Sequence, residues 1–168
     1  APYRRGNPPN RPLLKWGYRN KPLCWYVHQS RQKEYLSAPF QGITVLEYAG
    51  FVAGPYCGRL LADLGANVLK VEAPGTGDTA RSYGPFPGDI PHPEKSGLFL
   101  HLNLNKRSVT LDPSTAAGKE LFVKLVDKAD VLIEDSPPGR MAELGLAYTQ
   151  LQRLNSSLVY VSVTPYGQ

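Results

Sequence analysis

Glycines at 50 and 54, a proline at 55 and an acid at 72 carry the spacing of a unit that could bind phosphate and ribose. Glycines keep side chains off a turn, so a phosphate can approach the backbone N–H groups that open the following helix. Dinucleotide-binding folds place an acid on a ribose hydroxyl about 20 residues beyond that turn, and Glu72 stands there. The turn reads G-x-x-x-G-P rather than G-x-G-x-x-G, so its spacing alone leaves the ligand open. A second reading is open too: glycines that serve tight packing, and an acid that is merely solvated.

The elements that would position these residues are visible around them. Ile43–Leu46 and Val68–Val71 are short apolar, β-branched runs bounded by turn signals, as buried parallel strands are. Between them Pro55 suits a first helical turn, Leu60, Leu61 and Leu64 recur at helical spacing, and Gly65 supplies the stop. The stretch therefore reads as one βαβ unit, with the helix N-terminus at the carboxyl edge of the sheet.

Further along, Asp78–Gly97 is dense in glycine and proline and reads as a loop long enough to be functional. A lone histidine there, His92, reads as solvated. The run LFLHLNLNKRSVTLD alternates apolar and polar residues, with Ser108–Leu111 as its strand. Asp112 and Pro113 read as an N-cap and first residue of a helix that carries Leu121, Phe122, Leu125 and Val126 on one face and closes near Ala129. Strand Val131–Glu134, a shorter helix over Leu144–Leu154 and a last strand Leu158–Val163 complete the order. This is an α/β chain, a Rossmann-like parallel sheet with flanking helices.

The net charge of +5 over 168 residues suggests a nucleic-acid partner until it is divided along the chain. Residues 1–40 hold eight Lys or Arg and one acid, whereas residues 41–168 hold eleven bases and thirteen acids. Basicity thus belongs to a Pro- and Arg-rich leader, read as disordered, and not to the domain at 41–168. Arginines interleaved with Trp16, Tyr18, Trp25 and Tyr26 could stack on a nucleic-acid strand; a solvated or docking leader is the plainer reading, and no nucleic-acid partner is expected. The leader is also Arg-rich and acid-poor like an organelle transit peptide, although its prolines oppose the amphipathic helix such peptides form. Two cysteines, Cys24 and Cys57, indicate neither a disulfide framework nor a metal cluster, and their scarcity favours a cytoplasmic setting. No apolar run is long enough for a membrane span.

Taken in order and spacing, VLEYAGFVAGPYCGRLLADLGANVLKVEAPGTGDTAR, LNLNKRSVTLD, AGKELFVKLVDKADVLIED, PPGRMAELGL and LNSSLVYVSVTPYGQ resemble the amino-terminal part of the class III CoA-transferases. That family includes formyl-CoA transferase and the carnitine CoA-transferases. The resemblance runs from Gly42 onward.

It implies an enzyme that moves coenzyme A from an acyl-CoA donor to a carboxylic acid through a covalent aspartyl intermediate, with no prosthetic group, working as an intertwined homodimer. The family nucleophile lies downstream of the motif matched by Tyr166-Gly167-Gln168, so none of Asp112, Asp130 and Asp135 inherits its role, and the chain by itself is expected to be inactive. By position, the resemblance carries CoA contacts onto Val52 and Ala53 in the first turn, onto Leu111 after the third strand, and onto Asp135, Ser136, Pro138 and Arg140 after the fourth. Lys106 and Arg107, in the NKRS motif, become candidates for phosphate or interface contacts. The chain departs from the family at Asp135-Ser136, where Asn-Phe is usual, and at Glu143, where a basic residue is common. A noncatalytic CoA-binding homologue and a nicotinamide-dependent oxidoreductase fragment are the alternatives.

Overall fold

The computed structural model describes residues 38–167. The leader, with Cys24 and the interleaved aromatics, falls on residues 1–37, outside the described residues. Five strands, β1 (Thr44–Tyr48), β2 (Asn67–Glu72), β3 (Arg107–Thr110), β4 (Val131–Glu134) and β5 (Val159–Ser162), form one sheet in the order β3-β2-β1-β4-β5. Every pairing is parallel, so all carboxyl ends share one edge. The chain moves outward from β1 to β2 and β3, then returns to the other side of β1 for β4. That reversal opens a crevice between the β1 and β4 ends, where ligands of open α/β sheets bind.

Alternation along the strands builds a core on each face. Leu46, Val71 and Leu132 meet Phe122 and Val126 of α3 (Ala116–Val126), with Leu146 and Leu151 alongside. Val45, Val68 and Ile133 face the other way, onto Ala62 and Ala66. The leucine spacing correctly predicts a helix, α1 (Ala53–Asp63), ended by Gly65 at φ +99°. Its sheet side, however, is Gly54, Pro55, Gly58 and Ala62, while Leu60 and Leu64 are about half exposed. The helix lies too close for larger residues: a Cβ on Gly54 would come within 2.3 Å of Ala49 Cβ. Tight packing therefore accounts for Gly54.

Three local expectations are corrected. The alternating run LFLHLN is a helix, α2 (Gly97–Leu102), because the Ser96 hydroxyl accepts the Phe99 N–H at 3.0 Å and Phe99 and Leu102 are buried together. Asp112 does not cap α3. Its carboxylate takes the N–H and hydroxyl of Ser114 in a preceding turn, and Thr115 caps instead, through the Gly118 N–H at 3.0 Å. The helix expected over Leu144–Leu154 is a single turn, α5 (Tyr148–Leu151), and another single turn, α4 (Arg140–Glu143), precedes that span, with Gly145 at φ +66° between the two. Asn155 then ties this region to the end of α3 by donating to Val126 O and Ala129 O.

Candidate functional site

The turn after β1 reaches the crevice first, and side chains from three directions hold it. Lys70 Nζ donates to Ala49 O at 2.6 Å. Asp135 Oδ2 accepts the Gly50 N–H at 2.8 Å, and Asp78 Oδ1 accepts the Phe51 N–H at 2.9 Å. Two of the backbone donors that could have met an anionic ligand are thus filled by carboxylates of the chain itself. A cavity of about 330 Å³ lies over this turn, lined by Tyr48, Gly50, Glu72, Asp135, Ser136 and Arg140 among others.

Glu72 is not the free ribose acid that its spacing suggests, nor a solvated one. It is 5% exposed, and both oxygens are engaged: Arg81 donates at 2.7 and 2.9 Å, Ser108 Oγ at 2.6 Å and the Asp78 N–H at 3.0 Å. Burial alone would raise its pKa, but the Arg81, Ser108 and Asp78 bonds outweigh burial and bring it down to about 2. The carboxylate fastens the loop after β2 to the sheet.

Beneath the turn lies a chain of buried charges. Lys106 Nζ meets Glu47 Oε2 at 2.7 Å; Glu47 Oε1 meets Lys70 Nζ at 2.9 Å; Lys70 meets Asp78 Oδ2 at 2.7 Å. These side chains are at most 2% exposed. Burial lowers the pKa of Lys106. Burial would lower that of Lys70 as well, yet Glu47 and Asp78 hold it above the ordinary lysine value. Lys106 also donates to Pro55 O and Asn103 Oδ1, so its buried ammonium is surrounded by oxygens of the chain itself. Arg107 reaches sideways to Asn67 Oδ1 at 2.8 Å on the exposed edge of the sheet, away from the crevice lining.

After β4 the chain crosses the crevice. Desolvation by the surrounding chain raises the Asp135 pKa; the Gly50 N–H and Lys70 oppose this, while Glu134 and Asp78 add smaller increments. Glu134 is buried and accepts the Ser136 N–H at 2.8 Å. Burial, reinforced by Glu134 beside it, raises the Tyr160 hydroxyl pKa. A second cavity, of about 560 Å³, lies on this side against Glu134, Ser136, Met141, Tyr148 and Tyr160. Tyr148 and Tyr160 pack edge to face there, 5.8 Å between centroids. Sequence reasoning missed this pair, whose members lie on separate elements with no shared period. Arg140 and Glu143 form an exposed ion pair at 3.1 Å, so the acid that replaces a usual base also engages the nearest cation.

Of the seven positions carried over as CoA contacts, Asp135, Ser136 and Arg140 line the smaller cavity. Val52 and Ala53 stand exposed at the start of α1, one and two residues beyond Phe51, and Pro138 is exposed in the β4 loop. Leu111 differs. It is 8% exposed and packed in the core, which leaves its backbone as the part nearest the edge. His92 is exposed, and it accepts the Glu94 N–H through its ring and the Lys95 N–H through its carbonyl, both within its own loop. Among the described residues no cluster of His, Cys, Asp or Glu is arranged to hold a metal, and no helix is long and apolar enough to cross a membrane.

Comparison with known proteins places this arrangement. The model of CoA-transferase family III matches residues 40–168. Formyl-CoA:oxalate CoA-transferase of Escherichia coli (strain 55989 / EAEC) is 39% identical over 133 residues, covering 79% of this chain and 31% of the relative. The same figures hold for the enzyme of that name from Shigella boydii. Among solved structures, Rv3272 from Mycobacterium tuberculosis is 42% identical with a TM-score of 0.70, covering 78% of this chain and 36% of that one. A CAIB/BAIF family protein from Brucella suis is 40% identical, also at 0.70, covering 78% and 34%. The chain spans about a third of the length of these relatives.

Proposed function

Because the chain belongs to CoA-transferase family III, we propose that it is the acyl-CoA-binding part of an enzyme that transfers coenzyme A from an acyl-CoA donor to a carboxylic acid. The observation that carries this reading is the crevice between the β1 and β4 loops, bridged by Gly50 and Asp135, in a chain whose described fold matches the family throughout. Val52, Ala53, the Leu111 backbone, Asp135, Ser136, Pro138 and Arg140 are the proposed contacts to CoA, which is a substrate and not a prosthetic group.

The chemistry proposed is covalent. An aspartate carboxylate attacks the donor thioester and expels the CoA thiolate, leaving a mixed anhydride; the thiolate attacks the aspartyl carbonyl and releases the donor acid. The acceptor carboxylate then reverses both steps with its own acyl group, regenerating the aspartate. Each step exchanges one activated acyl bond for another, so no single barrier carries the whole exchange. Asp112, Asp130 and Asp135 are poor nucleophiles here: each is bonded, to Ser114, to the Thr44 N–H and to the Gly50 N–H. By its likeness to the family, the nucleophile is assigned to a residue outside this stretch, and the working assembly to an intertwined homodimer.

A noncatalytic CoA-binding role is the second reading, favoured by the acids Asp135 and Glu143 beside a single arginine. The engagement of Glu72 by Arg81 and Ser108 weighs against a nicotinamide site. Incubation of the full-length protein that contains this chain with an acyl-CoA and a second carboxylic acid, followed chromatographically, separates the readings. A new thioester supports transfer, CoA binding without turnover supports the second reading, and neither result sinks both.

A further inference from the structure

Phe51 is a bulky residue held at φ +60°, a conformation that costs an L side chain strain unless its surroundings impose it. Core packing does not impose it. The residue is 44% exposed, and its ring stands 5.0 Å from another exposed ring, that of Tyr83. What holds the residue is its N–H, donated to Asp78 Oδ1 at 2.9 Å. Asp78 is itself fixed. Its side chain is 1% exposed, Oδ1 also takes the Ala80 N–H at 2.7 Å, Oδ2 lies on Lys70 at 2.7 Å, and its own N–H is tied to Glu72. Lys70 in turn grips Ala49 O, two residues before Phe51. One buried carboxylate thus joins the loop after β2 to the turn that leads into Val52 and Ala53.

We infer that Asp78 is a positioning residue for the acyl-CoA site: by accepting the Phe51 N–H it fixes the left-handed turn that sets where Val52 and Ala53 stand. The inference rests on the reading that these two residues meet acyl-CoA. Asp78 acts through Phe51 and makes no contact with the ligand itself.

The test is a coupling measurement on the purified protein, with CoA as the probe in a calorimetric titration. Asp78→Ala weakens CoA binding about tenfold, the scale of one lost hydrogen bond to a charged group. Asp78→Asn keeps an oxygen for the Phe51 N–H, although its NH2 then faces Lys70, and weakens CoA binding less than Asp78→Ala does. Phe51→Gly recovers part of the loss in the Asp78→Ala background, because glycine adopts positive φ without strain; a role limited to stability predicts no such coupling. Should Asp78→Ala fail to fold, hydrogen exchange at the Phe51 amide decides: slow exchange in the parent and in Asp78→Asn supports the inference, and exchange as fast as an exposed turn amide overturns it. Asp78→Ala binding CoA like the parent, or strict additivity with Phe51→Gly, overturns it too. A parent protein that binds no CoA overturns the functional reading instead, so the two failures are distinguishable.

Discussion

Gly58 of α1 lies directly against the buried carboxylate of Glu47: a Cβ built on Gly58 would come within 2.0 Å of Glu47 Oε2, and within 3.4 Å of Lys106 Nζ. The helix approaches β1 this closely because the ion pair takes the place of a side chain. Gly58→Ala therefore displaces a charge pair that has no room to move, and is expected to cost about 2–3 kcal/mol although alanine favours helix. Urea denaturation reads the loss; an unchanged midpoint would show that the pair is free to shift.

Lys106 and Glu47 are a coupled pair in the interior. Lys106→Met leaves Glu47 with Lys70 alone and should cost about 2–4 kcal/mol, since an incompletely paired buried charge is penalised more than a pair is rewarded. Glu47→Gln with Lys106→Met should lose less than the sum of the two single changes. A double-mutant cycle in denaturant that closes additively would contradict this.

Acid sensitivity follows from Glu72. Its folded-state pKa of about 2 lies below the ordinary carboxylate value of 4.5, so the folded form binds fewer protons than the unfolded one. The resulting stability is fully present above about pH 5 and is lost as pH falls through the window down to about 2; its size is about 3 kcal/mol. Glu72→Gln should flatten that part of a stability-against-pH curve. Equal acid slopes in parent and variant would refute the assignment.

Glu143 pairs with Arg140, and on the proposed reading it competes there with a CoA phosphate. Glu143→Ala is expected to tighten CoA binding by about threefold to tenfold at low salt, with the gain shrinking as salt rises. Arg140→Ala should weaken binding. If CoA affinity is the same in Arg140→Ala as in the parent, Arg140 has no part in the site.

Asp135 sits between two roles, as acceptor for the Gly50 N–H and as a carboxylate among carboxylates. Its pKa is raised chiefly by desolvation, so its charge costs the fold stability that returns as pH falls through the raised value. Asp135→Asn keeps the acceptor and removes the charge; it should leave stability at pH 7 unchanged or higher. Marked destabilisation would mean that the charge itself is needed.

The strands and helix α1 were legible because their residues carry the answer locally: Val45, Val68 and Ile133 are β-branched and bounded by turns, and Gly65 stops the helix. Where two local patterns competed, the reading failed. Leu98, Leu100 and Leu102 alternate like a strand whereas Phe99 and Leu102 share a helix face, and the Ser96 cap decided for helix. Asp112 and Thr115 both suit an N-cap, and the Asp112–Ser114 turn left Thr115 the place.

Composition and order of motifs were enough to determine an α/β chain whose turn at Gly50–Gly54 leads from β1 into α1, and to raise the family that the comparison then showed. The partners of the charged residues belong to the tertiary structure alone. Glu72, Lys106 and Asp78 look equally available in the linear chain, yet Glu72 is bound to Arg81 and Ser108, Lys106 lies under α1, and Asp78 holds the Phe51 turn. Hydrophobic periodicity is a property of neighbours in sequence, whereas an ion pair is set by whichever opposite charge the folded chain brings within about 3–4 Å, often across dozens of residues.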